Sequence, residues 1–233
     1  MKLNFTPKKI CKITFFLLSF MLILNNEEAK AQSVKVYPTV ISGQAQVTAP
    51  NNATDGNLTT SATLTANSGV LGVGATTGYI ELEYPTTLPA NTTSYIKITT
   101  QENLLSPLLG GSLGNLLSTV LGTVLIGNQE FSVEAKNGTT TVQLNESSNN
   151  GFSTVRSRIL VNANNEYFIA ITPSLPYNRI RVTNRYLALL GLAQDRTLQV
   201  YDAYYISGSS GNDCGIASAT AFDGSGLTWI SSM

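Results

Sequence analysis

Histidine is absent from the 233 residues of this chain, and charged residues make up only 12% of it. The absence of histidine excludes Ser-His-Asp and Cys-His catalysis and removes the commonest zinc ligand. The few charges form no cluster of lysine and arginine of the kind that nucleic acid or anionic lipid requires. The composition still permits enzymes that need only two carboxylates, and proteins that bind a ligand without catalysis.

The first 31 residues have the three parts of a secretory signal peptide. Lysines precede an apolar run over Ile13–Leu24, and a polar stretch then ends in Ala-Lys-Ala before Gln32. The run has twelve residues, fewer than the roughly 20 that a membrane-spanning helix needs. We therefore expect an exported protein, secreted or at the cell surface, with residues 1–31 removed. The alternative is that the segment is retained as a membrane anchor.

Removal of the signal leaves 9 basic and 12 acidic residues, a net charge of about −3, and one cysteine, Cys214. A lone cysteine in an exported protein is a free thiol, an intermolecular bridge or half of a pair whose partner lies beyond the chain. The third alternative is favoured, because a Ser-Gly linker begins at Ser207 and the segment after it is too short to fold alone. The expected division is a signal at 1–31, a domain at 32–206, and at 207–233 a linker with a tail or the start of a further module.

Most of the mature chain alternates polar and apolar residues in short runs, which is typical of strands with one buried face. Segments rich in Asn, Gly and Pro separate the runs, and Asn137-Gly138 has the composition of a hairpin turn. Many short antiparallel strands at this spacing predict an all-β fold, an antiparallel β-sandwich. The clearest runs are Tyr79–Tyr84, Phe131–Ala135, Thr141–Leu144, Arg179–Val182 and Thr197–Tyr204.

One uncharged segment, residues 103–129, departs from this pattern. Its apolar doublets recur about four residues apart, which places them on one stripe of a helix. We predict a short helix from about Gly111 to Gly122, packed on the sandwich. A second membrane span is the alternative, although Pro107 and five glycines disfavour a lone spanning helix. A smaller apolar run, Tyr186–Leu192, precedes the last strand, and we expect both segments to cap an end of the core.

Residues 52–60, Asn-Ala-Thr-Asp-Gly-Asn-Leu-Thr-Thr, resemble the opening motif of discoidin-like (coagulation factor 5/8 C-type) domains. Residues 79–84, 178–183 and 198–201 are similar, in the same order, to the early strand, the late arginine-bearing strand and the closing strand of that family. The resemblance covers roughly residues 40–207 and implies a galactose-binding-like jelly roll. The uncharged segment at residues 103–129, which is rich in leucine and glycine, is also similar to modules of surface proteins from Bacteroidota-type bacteria.

The resemblance implies a structural calcium ion at this loop. The matching residues are Asp55, Asn57 and Thr60, whose oxygens suit a hard cation that takes six to eight oxygen ligands. The family's closing-strand glutamate is missing, since Thr197 and Gln199 stand near that position. The alternative is that Asp55 closes an Asx-turn.

A glycan site needs an exposed aromatic platform beside polar groups that fix hydroxyls. Suitable residue types occur near several predicted loops, and we take them as candidate ligand-binding residues. The alternative is that the tyrosines cover the edge of the sandwich and the arginines are solvated. The candidates are Tyr177, Asn178, Arg179, Tyr186, Asn150 and Phe152.

Two pairs of arginines suggest a charged site. Arg156 and Arg158 share one strand face, as do Arg179 and Arg181. If the two faces adjoin, the four side chains form a patch that suits carboxylated or sulfated sugars.

Catalysis has little support in the sequence. Glycosidases need two carboxyl groups about 5 to 9.5 Å apart across a cleft, whereas Glu81 and Glu83 share the strand face that the pattern marks as solvated. We therefore expect no enzyme, but a binding or adhesion module whose partner is a glycan or another cell-surface component. The alternative is a structural spacer or docking domain that contacts neighbouring domains of a larger surface protein, and fold alone does not separate the two.

Overall fold

The computed structural model describes residues 34–70, 72–101, 105, 128–149, 151–187 and 194–207. The chain divides into two compact units, residues 1–32 and residues 33–233. The first unit, with the expected signal peptide, lies outside the described residues. So do the predicted helix from Gly111 to Gly122, most of the apolar run after Tyr186, and the tail that contains Cys214.

The described residues form thirteen strands in two antiparallel sheets, here called sheet A and sheet B. Sheet A has the order β3-β4-β13-β6-β11-β10-β9, and β1 pairs with β13 beside it. Sheet B has the order β2-β5-β12-β7-β8. The strands are β1 Val34–Val36, β2 Val40–Ala45, β3 Val47–Thr48, β4 Ala62–Asn67, β5 Gly78–Leu88, β6 Ser94–Thr100, β7 Asn128–Asn137, β8 Thr140–Glu146, β9 Ser153–Thr154, β10 Ser157–Val161, β11 Tyr167–Ile171, β12 Tyr177–Leu187 and β13 Asp195–Ser207.

The chain alternates between the two sheets as it advances. From β4 it passes to β5 in sheet B, to β6 in sheet A, to the hairpin β7-β8 in sheet B, to β9-β11 in sheet A, and then to β12 and β13. Two antiparallel sheets that pack face to face in this way form a β-sandwich. The predicted antiparallel β-sandwich is confirmed.

The local patterns that predicted strands are confirmed as well, since each of the five runs lies inside one of β5, β7, β8, β12 and β13. Gly138 adopts a left-handed φ of 59° in the turn between β7 and β8, which is the conformation that glycine permits in a tight hairpin. Within the described ranges, no helix is both long enough and apolar enough to cross a membrane.

The inner faces of the two sheets form one apolar core. Ile80 and Leu82 of β5 face Ile96 and Ile98 of β6, and all four are fully buried. Burying one such side chain stabilises the fold by roughly 1.5–3 kcal/mol. Period-two alternation therefore accounts for both the strands and the face that each one buries.

A buried asparagine ties the two sheets together inside this core. Asn184 of β12 is fully buried, and its Nδ2 donates to the carbonyl oxygens of Leu64, at 3.0 Å, and Arg196, at 2.9 Å, on two strands of sheet A. Its Oδ1 accepts a hydrogen bond from Gln129 Nε2 at 2.8 Å. Buried polar groups need such partners, so Asn184 fixes the register of sheet B on sheet A.

A β-bulge in the last strand changes which residues face the core. The pairing of β13 with β6 shifts between Val200 and Asp202. Strict alternation from Val200 would send Asp202 and Tyr204 inward, but the bulge places Ala203 in the core and Tyr204 in a second cluster on the outer face of sheet A.

The first strand and the fourth strand share one side of β13. The β4 strand pairs with Asp195–Val200, and β1 pairs with Tyr205–Ser207. The loop that carries the Asp-Gly motif fills the space between them, because Gly56 N donates to Asp202 Oδ2 at 2.9 Å.

Candidate functional site

The first of the predicted ligand-binding residues, Tyr177, is a core residue. It is fully buried, its hydroxyl donates to Thr92 O at 3.0 Å, and it shares a 2.7 Å hydrogen bond with Ser94 Oγ. Burial raises the pKa of this phenol well above 10. The pairing of β12 with β5 shifts between Tyr177 and Arg179, so the tyrosine points inward although Arg179 points outward.

The other two predicted aromatics are buried too. Phe152 stacks on Phe131 with ring centroids 5.2 Å apart, and Tyr186 is 3% exposed under the guanidinium of Arg196. The prediction that Tyr177, Phe152 and Tyr186 form an exposed aromatic platform is therefore wrong, because each ring fills space at the rim of the core. Asn150 lies outside the described residues.

The predicted polar residues are held within their own sheet. Asn178 Oδ1 accepts from Gly138 N at 2.8 Å, and its Nδ2 donates to Glu83 Oε1 at 3.2 Å. Arg179 contacts Glu81 at 3.2 Å and Glu83 at 2.9 Å. These groups neutralise each other, so a ligand would have to displace an existing ion pair to reach Arg179.

The four-arginine patch does not form. Arg158 belongs to β10 of sheet A, with Arg156 in the turn before it, whereas Arg179 and Arg181 belong to β12 of sheet B. The outer faces of a sandwich point in opposite directions, so the two pairs do not adjoin and the prediction is wrong.

Glu81 is the centre of a buried charge cluster on sheet B. It is 5% exposed, Lys136 Nζ lies 2.6 Å from Oε2, and Ser42 Oγ donates to Oε1 at 3.2 Å. Burial by itself would raise the pKa of Glu81, but the hydrogen bond and charge of Lys136, with bonds from Ser42 and Arg179, lower it overall. The expectation that this carboxylate is solvated is wrong, because neighbouring strands bring long cationic side chains over it.

The Asp-Gly loop closes on itself through Asp55. Its Oδ1 accepts from Asn57 N at 2.8 Å and its Oδ2 from Thr60 Oγ1 at 2.6 Å. Asp55 therefore closes an Asx-turn. Thr60 Oγ1 also lies 3.1 Å from Asn57 O, while the Asn57 side chain turns away to accept from Thr59.

A carboxylate on the closing strand meets this loop, and the sequence analysis gave it no role. Asp202 is fully buried, with Oδ2 accepting from Gly56 N and Oδ1 from Ala203 N at 2.7 Å. Burial raises the pKa of Asp202 to about 7, against the lowering effect of the two backbone bonds, and the charge of Asp55 adds to the increase. Asp202 thus joins the last strand, β13, to the Asp-Gly loop.

The three residues matched to a calcium site lie close together and offer oxygen atoms as possible ligands. They supply the Asp55 carboxylate, the Asn57 carbonyl and the Thr60 hydroxyl, which fit a hard cation in ligand type. Over the ranges that the structure describes, no three acidic, histidine or cysteine side chains are close enough to hold a metal ion. Backbone oxygens and water would have to complete the coordination.

The outer face of sheet A carries a row of aromatic rings beside this loop. Tyr204 lies in the middle, with the ring of Tyr95 stacked 5.3 Å away at an interplanar angle of 24° and the ring of Tyr37 tilted 5.9 Å away on the other side. Tyr204 is 5% exposed, whereas Tyr95 and Tyr37 are half-buried. We call Tyr37, Tyr204 and Tyr95 the tyrosine row.

Beyond Tyr95 the outer face of sheet A continues onto β11 and β10. The cross-strand neighbour of Tyr95 on β11 is Ala170, and the neighbour of Ala170 on β10 is Arg158. We call the space over Ala170, between Tyr95 and Arg158, the Ala170 gap. Alanine ends at Cβ, so its side chain rises little above the sheet, whereas Phe168, two residues before it on β11, packs against Tyr204 with ring centroids 6.3 Å apart.

No family model matches this chain, and no curated protein matches it. Any function must therefore follow from the residues of the chain itself.

The tyrosine row is fixed by contacts on both flanks. Lys97 Nζ donates to Leu58 O and to Glu166 Oε1, both at 2.6 Å, which fastens the Asp-Gly loop to the sheet. Lys35 Nζ lies 4.6 Å from the centre of the Tyr204 ring, a cation–π contact. Burial raises the pKa of Tyr204 to about 12, so its phenol is neutral at physiological pH.

Proposed function

We propose that this chain is an exported binding module that holds carbohydrate on the outer face of sheet A, at the tyrosine row and the Ala170 gap. The single observation that carries the proposal is the half-buried ring of Tyr95, stacked on Tyr204 and beside a position occupied by alanine. A rigid aromatic face next to a small residue matches what a sugar ring needs for stacking. The architecture agrees with a discoidin-like jelly roll, which we retain as part of the proposal.

Polar groups beside the gap support hydroxyl recognition. Arg158 is half-buried, and its Nε donates to Thr154 O at 3.2 Å, which holds the guanidinium toward β9, the strand beyond β10. On the other flank, the phenol of Tyr95 remains a neutral donor and acceptor, because burial raises its pKa above 10.

The direct test is a glycan array with the exported chain and its Tyr95→Ala variant. We expect selective binding by the wild type and a loss of at least about tenfold in the variant, since truncation of a central aromatic anchor costs more than about 1 kcal/mol. Ala170→Leu fills the gap from the outer face and should also reduce binding. Tyr79→Ala is the matched control, because Tyr79 is a half-buried outward tyrosine of sheet B, and it should bind as the wild type does.

We also propose a structural role for calcium in this module. Asp55, Asn57 and Thr60 would hold the ion, which would stiffen the loop that packs beside Tyr37. Thermal unfolding with calcium and with chelator tests the proposal, with Asp55→Asn as the variant. An increase in Tm with calcium that the variant lacks supports it, and equal Tm values in both conditions overturn it.

A second candidate function is a spacer or docking domain, and the burial of Tyr204 favours it. Tyr204, Phe168 and Leu160 form a small apolar cluster in which each side chain is at most 5% exposed. Such a satellite cluster also arises simply to fasten a loop and an edge strand to a sheet. If the folded protein binds no glycan, the spacer becomes the better account.

A further inference from the structure

The outer face of sheet A has two cations beside its aromatic row. Lys35 lies over Tyr204, and Arg158 lies beyond Ala170. Among the described residues, neither cation has a carboxylate within ion-pair distance, whereas the ion pairs of sheet B engage Arg179, Arg181 and Lys136. The chain without its signal carries a net charge of about −3. These two cations therefore give this face a positive charge on a protein that is negative as a whole.

Two carboxylates near the tyrosine row already accept hydrogen bonds from other groups of the protein. Glu166 accepts from Lys97 at 2.6 Å and from Asn162 Nδ2 at 2.6 Å. Asp202 is fully buried behind the row and bonded to backbone N–H groups. Among the described residues, Arg158 Nε donates to a neutral carbonyl, and a guanidinium also has two terminal nitrogens whose fork geometry suits a carboxylate.

We infer that the Ala170 gap takes a hexuronate, a sugar with a carboxylate in place of the terminal hydroxymethyl, as a unit of an acidic oligosaccharide. This inference rests on the proposed function and names its ligand class. The sugar ring would stack on Tyr95 over Ala170, and its carboxylate would meet Arg158. Lys35 would attract the next acidic unit along the tyrosine row.

The dimensions of the sheet agree with this placement. Tyr95, Ala170 and Arg158 lie in register on three successive strands, β6, β11 and β10. Two strand spacings separate the Tyr95 backbone from the Arg158 backbone by about 10 Å. That span accommodates one sugar ring between an aromatic side chain and a guanidinium.

The test is calorimetric titration of the exported chain with an oligogalacturonate and with its methyl ester. The ester has the same sugar rings without the charge, and chelator in both titrations prevents calcium from bridging the acid to the protein. We expect the acid to bind at least about tenfold more tightly than the ester, with an affinity that falls as salt rises. An alginate oligosaccharide, which also carries hexuronates, widens the panel to a second uronate linkage.

Arg158→Gln should abolish the preference for the acid while leaving the affinity for the ester near the wild-type value. Arg185→Gln is the matched control, because Arg185 is an exposed arginine on sheet B. Far-UV circular dichroism of both variants establishes that they are folded. If Arg158→Gln keeps the preference, the assignment of the carboxylate to Arg158 is overturned.

The two proposals fail in different ways. Equal affinity for acid and ester, with binding lost in Tyr95→Ala, overturns the hexuronate inference and leaves carbohydrate binding standing. Binding of neutral glycans on an array, without binding of either uronate, also overturns the hexuronate inference and leaves carbohydrate binding standing. A folded chain that binds no glycan of any class overturns both.

Discussion

Replacement of Asp202 by asparagine should change how the stability of this domain depends on pH. Asp202 is fully buried, and its two oxygens accept hydrogen bonds from the backbone of Gly56 and Ala203. Burial raises its pKa from 3.8 to about 7. An acid with a higher pKa in the folded state than in the unfolded state holds its proton more firmly when folded, so its ionisation opposes folding.

The contribution of Asp202 to the free energy of unfolding should therefore be highest below pH 3.8, fall as pH rises, and level off above about pH 7. At about 1.4 kcal/mol per pH unit the full change is about 4 kcal/mol, of which about 3 kcal/mol falls between pH 5 and pH 8. The asparagine variant does not ionise. Its amide nitrogen faces one of the two backbone N–H donors, which costs about 1–3 kcal/mol at every pH.

Urea unfolding followed by far-UV circular dichroism, in chelator, measures this difference at each pH. The chain has no histidine, so no histidine titrates in this window. We expect the wild type to be the more stable at pH 5 and its advantage to shrink by about 3 kcal/mol by pH 8. Asp195→Asn, at an exposed position of the same strand, is the control and should show a constant difference. An Asp202→Asn difference that also stays constant across the window would refute the reasoning.

Three further substitutions test the packing that holds the sheets. Glu81→Gln should lower the free energy of unfolding by about 3–5 kcal/mol in urea at pH 7, because it leaves Lys136 buried without its counter-charge; a loss below about 1 kcal/mol contradicts this. Asn184→Leu should cost about 3 kcal/mol by the same assay, since two buried carbonyls lose their donor, and an unchanged urea midpoint would contradict it. Gly78→Ala should lower Tm, because the new Cβ would lie 2.6 Å from a carbonyl oxygen of β4. Gly43→Ala is the control and should be tolerated, because its Cβ would lie 3.5 Å from the nearest atom. Equal Tm values for the two variants would contradict the packing argument.

The sequence was a sufficient guide to the fold where alternation is regular. The apolar residues that the pattern assigns to the core are buried, namely Ile80, Leu82 and Tyr84 of β5 and Ile180 and Val182 of β12. The Asn137-Gly138 turn connects the strands expected on each side. Period-two burial is a local property, so it can be read without knowledge of tertiary contacts. The pairing of β1 with β13, which joins distant parts of the chain, leaves no such local trace.

The candidate site escaped prediction because register shifts decide it. One shift turns Tyr177 into the core although Arg179 points outward, and another moves Tyr204 and Asp202 off the core face. A single added residue moves each following side chain of the strand to the opposite face of the sheet. The alternation around Tyr95 could have marked it as an outward residue, but its neighbours across the sheet are known only from the pairing.

Burial of Glu81 was missed for a related reason. The pattern assigns it correctly to the outer face of sheet B, but a position on the outer face does not guarantee contact with water. Lys136 and Arg179 come from two other strands and close over it. The long side chains of lysine and arginine can cover a neighbouring carboxylate in this way, and only the strand order shows which ones are near.

The pairing of β1 with β13 has a mechanical consequence. Val34 lies opposite Ser207 in an antiparallel pair, so the first and last described residues leave the domain side by side at one edge. A force applied through the chain on either side of the domain would pull these neighbours directly apart, and the bonds between β1 and β13 would break one after another instead of sharing the load. Under tension the first strand would therefore peel away before the core opens, and Tyr37, which directly follows that strand, would be drawn off the face that we propose holds the sugar.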